Sequence, residues 1–202
     1  MDVRDQILTQ AARLFADQGY DGTSVQEIAD AVGIRKPSLL YHFRSKDELR
    51  ENVLAEMLAH WSAVLPGLLL KASTEERFDA TMEALSEFFI EDPDRARLFL
   101  RETLDRPEQM RVMLAAYVQP WVELLGEQLE RAKGQGVVRR DVDPQAYAVE
   151  VITMVVAGTA VIDTLQTILP DDPVRGSTRM RHARELIRVA RSSLYTENEG
   201  EN

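Results

Sequence analysis

Five basic side chains, Arg35, Lys36, Arg44, Lys46 and Arg50, fall between Ala31 and Arg50 against two acids, Asp47 and Glu48, in a chain of formal net charge −10. Guanidinium and ammonium groups at that density suit phosphate neutralisation, and both can pair with guanine edges. Ser38, Tyr41 and His42 lie between them and add donors for phosphate oxygens. The acidic remainder limits non-specific attachment to nucleic acid and leaves one focused basic segment.

Other chemistries are poorly provided for. With no cysteine, the chain has no disulfide framework, thiolate metal cluster or cysteine nucleophile. It carries no Gly-rich phosphate loop and no nucleophile elbow, and its only histidines are His42, His60 and His182. Glu56 and His60, one helical turn apart, could touch a metal, but the second histidine of such a motif is lacking. No catalytic residue, metal or cofactor is expected. The competing class is an all-helical enzyme or ligand-binding protein without a DNA role, which a gel shift against the DNA flanking its own gene would separate.

The elements that must position the basic segment are helices. Ile7, Ala11, Leu14 and Phe15 form an amphipathic stripe on a first helix ending at Gly19. Ser24 and Glu27 make a capping box for a short second helix with Ile28, Ala29 and Val32 inward, stopped by Gly33. Pro37 suits the first turn of a third helix through Phe43. At ~100° per residue, Leu39 and Phe43 share its inner face, while Pro37, Ser38 and Tyr41 lie opposite and Leu40 flanks them. Ser45 with Glu48 caps a fourth helix to about Trp61.

Further on, Ser73 with Glu76 caps a helix to about Glu91, and Asp92-Pro93 opens the next. A helix from Arg106-Pro107 to about Lys133 should kink at Pro120. Asp143-Pro144 opens an apolar helix, and Pro170 to Pro173 separates it from a last helix through Tyr195, beyond which the acidic end is expected to fray. The run Ala146 to Ile162 holds Glu150 and Gly158 and falls short of the ~20 residues of a membrane helix, so no membrane association is expected. The opening Met1 to Asp5 lacks signal-peptide features, and a cytoplasmic location is expected.

Two short helices joined by a Gly-containing turn, the second carrying the bases, make a helix-turn-helix. Between Asp17 and Leu49, the order Gly19-Tyr20, Gly22-Thr23-Ser24-Val25, Ile28-Ala29, Ala31-Val32-Gly33-Ile34, Lys36-Pro37-Ser38-Leu39, Tyr41-His42-Phe43 and Lys46-Asp47-Glu48-Leu49 resembles the DNA-binding signature of the tetracycline-repressor (TetR) family. The resemblance implies an all-α chain. Residues 1–46 would be a helix-turn-helix domain, and 47–202 a helical effector-binding and dimerisation domain. It implies that Arg35, Lys36, Pro37 and Leu40 face bases, that Gln26 reaches the groove from the second helix, and that Ser24, Ser38, Tyr41, His42 and Lys46 hold phosphates. Tyr41 and His42 could instead pack between helices.

The same resemblance implies a homodimer on a near-palindromic duplex operator, acting as a repressor released by a small apolar or amphipathic ligand. Dimerisation would use the last two long helices, where Ala157, Gly158, Ala160, Ile162 and Leu165, and then Leu186, Val189, Ala190 and Leu194, recur at helical spacing. Candidate ligand-binding residues are Trp61, Met82, Phe88, Phe99, Met113, Tyr117, Trp121 and Met154, each also acceptable as plain core. Arg101, Glu102, Thr153 and Asp163 are the candidate polar groups among them. Arg101 and Glu102 could equally be a solvated face or a salt bridge.

Overall fold

A computed structural model describes residues 2–69 and 75–195. Over these the chain forms eleven helices: α1 Val3–Gly22, α2 Val25–Val32, α3 Lys36–His42, α4 Lys46–Leu69, α5 Glu75–Ile90, α6 Pro93–Asp105, α7 Pro107–Tyr117, α8 Gln119–Gly134, α9 Pro144–Ala160, α10 Ile162–Leu165 and α11 Thr178–Leu194. Among the described residues β pairing is limited to isolated bridges, Val138 with Tyr195 and Asp172 with Gly176. The Ser73 cap and the stretch from Glu197 onward lie outside the described residues.

Local chemistry accounts for the helix ends. The Asp2 side chain accepts from the Asp5 backbone N–H, and the Asp5 side chain accepts from that of Asp2, a reciprocal cap. Ser24 and Glu27 repeat the arrangement at α2, and Gly33 ends that helix in the left-handed conformation at φ 78°. Pro37 occupies the first turn of α3, and Asp143 caps α9 ahead of Pro144. Each satisfies backbone groups that a helix end leaves open.

Three boundaries differ from expectation. Gly19 does not terminate α1: at φ 78°, ψ 169° it breaks the helix, which resumes to Gly22. Helix α4 runs on to Leu69 instead of stopping near Trp61. The single kinked helix over 107–133 is two helices parted at Val118, because Pro120 has no N–H to continue the ladder and fits better in the first turn of α8.

Two cores result. In the head, Ile7, Ala11, Phe15, Ile28, Leu39 and Phe43 are buried together with Leu49, Val53 and Leu54 of α4, and with Leu98 of α6 and Met110 of α7. The body core gathers Leu58, Trp61, Phe78, Met82, Phe88, Phe89, Leu129, Val151, Val155, Leu186 and Leu194 from α4, α5, α8, α9 and α11. Helix α4 contributes to both. The head's core therefore runs past residue 46 and rests on the body, so head and body do not tilt as unconnected units.

Candidate nucleic-acid interface and effector cavity

Helix α3 is only seven residues long and is held by Leu39, which is fully buried, and by Phe43 just after it, which is nearly so. Its other residues, with Arg35 just before it, stand out of the protein. Arg35, Lys36, Pro37, Ser38, Leu40 and His42 are exposed, and Tyr41 is 87% exposed. Tyr41 and His42 meet edge to face, 5.7 Å between centroids, instead of packing between helices. Gln26 is exposed on α2, where its amide donates to Asp30 at 2.7 Å. Ser24 is exposed while its hydroxyl accepts from the Glu27 backbone N–H at 3.1 Å. All of these groups are exposed and have few internal commitments.

Lys46 opens α4, its ammonium 4.1 Å from the centre of the Tyr20 ring. Arg106, between α6 and α7, lies over the same ring at 4.3 Å, and Arg50 at 5.5 Å. The Tyr20 hydroxyl donates to Asp47 at 2.7 Å. Burial, reinforced by that hydrogen bond and the Asp47 charge and opposed by Arg106 and Arg50, pushes the phenol up to about 12. Tyr20 is thus a fixed, protonated platform joining the end of α1, the start of α4 and the α6–α7 corner.

The basic segment loses one expected member. Arg50 turns inward: it is 1% exposed and donates to Glu102 on α6 at 2.6 Å and to the side-chain carbonyl of Gln109 on α7. A fully buried guanidinium needs such partners, and α6 supplies one where α4 passes it. Glu102, weighed in sequence as a solvated face or a salt bridge, is the buried partner.

A cavity of about 520 Å³ lies between α6, α7, α8 and α9. Phe99, Leu100, Leu114, Val118, Val122, Ile152 and Val156 supply an apolar wall, with Thr103, Arg111, Gln119 and Thr153 as its polar members. Both threonine hydroxyls already donate along their own helices, Thr103 to Phe99 and Thr153 to Val149. Of the apolar sequence candidates Phe99 lines this cavity, and of the polar ones Thr153 does. Trp61, Met82 and Phe88 are body core, against which Met113, Tyr117, Trp121 and Met154 pack. Arg101 lies elsewhere, its guanidinium donating to the Asp17 carbonyl at 3.2 Å beside Gly19. The residues sequence reasoning missed are mostly aliphatic and on four helices, and helical spacing alone gave no signal separating them from core.

Among the expected dimer residues, Ile162, Leu186, Ala190 and Leu194 are buried within the single chain, and Gly158 is pressed by the His182 ring, which a Cβ there would overlap. The apolar side chains left exposed on and beside α9 and α11 are Val149, Val161, Met180 and Val189. Among the described residues, no helix is long and apolar enough to cross a membrane.

Comparison with known proteins covers both parts of the molecule. Residues 7–53 match the family described as bacterial regulatory proteins, tetR family. Residues 75–189 match the tetracyclin repressor-like C-terminal domain. The biofilm operon icaADBC HTH-type negative transcriptional regulator IcaR of Staphylococcus aureus is 26% identical over 129 residues, 64% of this chain and 68% of its own. The HTH-type transcriptional repressor KstR2 of Mycolicibacterium smegmatis is 47% identical over 55 residues, 27% of each chain. Among solved structures, KstR2 of Mycobacterium tuberculosis superposes with a TM-score of 0.73 at 21% identity, covering 97% of this chain and 96% of that one. AibR, solved with isovaleryl coenzyme A and operator DNA, gives 0.71 at 25% identity over 93% and 97%.

Proposed function

Because the chain belongs to the tetR family of bacterial regulatory proteins, we propose that it is a homodimeric transcriptional repressor whose α3 enters the major groove of a near-palindromic operator. The observation that carries this reading is the outward face of α3, polar and exposed on a helix that Leu39 and Phe43 lock to the core. Arg35 and Lys36 suit guanine edges, Pro37 and Leu40 suit thymine methyls, and Gln26 reaches from α2. Ser24, Ser38, Tyr41, His42 and Lys46 hold the phosphates. On this reading 1–46 is the DNA-reading unit and 47–202 the sensing and pairing unit, in the cytoplasm where the DNA is. The relatives named as repressors, and AibR with its acyl thioester and operator, support the same assignment.

The α6–α9 cavity takes the effector, an apolar or amphipathic molecule with few demands for hydrogen bonds. Exposed apolar side chains on α9 and α11 supply the dimer face. Helix α4 carries the signal, since it starts at Lys46 and passes the Arg50–Glu102 pair. A ligand releases DNA only by binding better to the dimer whose recognition helices are wrongly spaced. Footprinting with half-site spacing variants tests the reading: two half-sites about one helical turn or a multiple apart should be required. Equal affinity for one half-site and for two would refute the dimer reading. Effector compounds should lower operator affinity and raise the melting temperature together.

A further inference from the structure

A second cleft, of about 390 Å³, opens where α1 of the head meets α4 and the start of α6 in the body. Its volume falls within the ~300–1,000 Å³ of small-molecule sites. Leu8, Val53 and Leu98 give it an apolar floor, and at one end His60 lies flat on Phe88, 5.4 Å between centroids and 19° between planes. Four carboxylates line it, those of Asp5, Glu56, Asp92 and Asp94, against the guanidinium groups of Arg13 and Arg95. Arg95 is committed: it pairs with Asp92 at 3.5 Å, donates to the Phe88 carbonyl and lies 4.5 Å from the Phe88 ring centre. Asp94 is shared with Arg97. Glu56 and Arg13, both exposed, have no hydrogen bond or ion pair among the described residues. The Glu56–His60 turn does not gain the further ligand of a metal site: no group of three or more His, Asp or Glu suited to a metal occurs among the described residues.

We propose that this cleft is a second small-molecule site, separate from the α6–α9 cavity, that binds a cationic amphipath. The apolar body lies on Leu8, Val53 and Leu98 beside the stacked His60 and Phe88 rings, and the cationic head meets Glu56 within the carboxylate excess. An aliphatic or aromatic tail suits the floor, and a cation suits a lining in which carboxylates outnumber guanidinium groups by four to two. Its floor residues Leu8, Val53 and Leu98 all belong to the head core, while Phe88 belongs to the body core, so the occupant lies where the two cores meet.

The test uses two probes of one skeleton and opposite charge, 4-phenylbutylamine and 4-phenylbutyrate, titrated calorimetrically into the full chain. The amine should bind about tenfold more tightly than the carboxylate, and Glu56→Gln should weaken the amine by about tenfold, the scale of one charge-assisted hydrogen bond. Ala115→Trp, at the α6–α9 cavity, should leave amine binding unchanged. The methyl resonance of Met57, which lines the cleft, should shift with the amine. Equal binding of the two probes, indifference to Glu56→Gln, loss of amine binding in Ala115→Trp or a silent Met57 methyl would each overturn the proposal. Glu56 is exposed, so the variant should melt with the wild type. None of these readouts involves DNA, so the cleft and the operator reading stand or fall separately.

Discussion

The Arg50 guanidinium donates to the Glu102 carboxylate at 2.6 Å with both side chains out of solvent, which fastens α4 to α6 at the level where the head rests on the body. Removing one partner strands a buried charge. Glu102→Ala should cost roughly 3–5 kcal/mol in denaturant unfolding, whereas Arg50→Met with Glu102→Leu should recover most of that loss. If both variants lost equal stability, the pair would not be the element that matters. The double variant should also respond less to effector in operator titrations, because α4 and α6 would no longer move as one.

The contacts at the two ends of the interface should behave differently toward salt and sequence. Lys46→Ala should weaken all DNA sequences alike and reduce the salt slope by about one unit, while Lys36→Ala should relax preference at one base position at ~1–3 kcal/mol. Altered specificity in Lys46→Ala, measured across an operator mutant panel, would reverse the two roles.

At φ 78°, ψ 169° Gly19 occupies a region essentially closed to other residues, and a Cβ there would stand 2.9 Å from the Arg101 guanidinium. Gly19→Ala should therefore destabilise by ~1–3 kcal/mol and disturb the seat of Tyr20. A thermal melt checks it. An unchanged melting temperature would mean that α1 can end another way.

Filling the α6–α9 cavity should change Trp61 fluorescence although Trp61 does not line it. Phe99 lines the cavity and meets the Trp61 ring edge to face, 6.1 Å between centroids, inside the body core. A titration with an apolar effector should lose this signal in Phe99→Leu while retaining binding. A signal that survives the substitution would come from Trp121.

Burial lowers the His182 pKa below its ordinary 6.5, and its Nε2 has no hydrogen-bond partner. Above pH 6.5 the ring is neutral in both folded and unfolded chains, so full stability is present there. As the pH falls through 6.5 the unfolded chain takes the proton first, and stability is lost toward the folded pKa. The melting temperature should thus fall between pH 7.5 and 5.5, and His182→Asn should flatten that part of the profile. Parallel profiles would place the titration elsewhere.

Features that depend on neighbours a few residues apart were legible in the order of amino acids. The Ser24–Glu27 box, the left-handed Gly33, Pro37 in the first turn and the inward Leu39 and Phe43 all follow from short-range geometry, and with them the outward face of α3. The family resemblance was carried by the same stretch. Features that depend on which helix lies across from which came from the packing of the whole chain. It turned Arg50 from the basic surface to Glu102, sent Arg101 to the Asp17 carbonyl, and committed Ile162, Leu186 and Leu194 to the chain's own interior. It also placed the cavity among aliphatic residues of α6 to α9 while the nominated aromatics became core. Periodicity tells which face of a helix is apolar, but an apolar face looks the same whether it meets a neighbouring helix, a second subunit or an empty cavity.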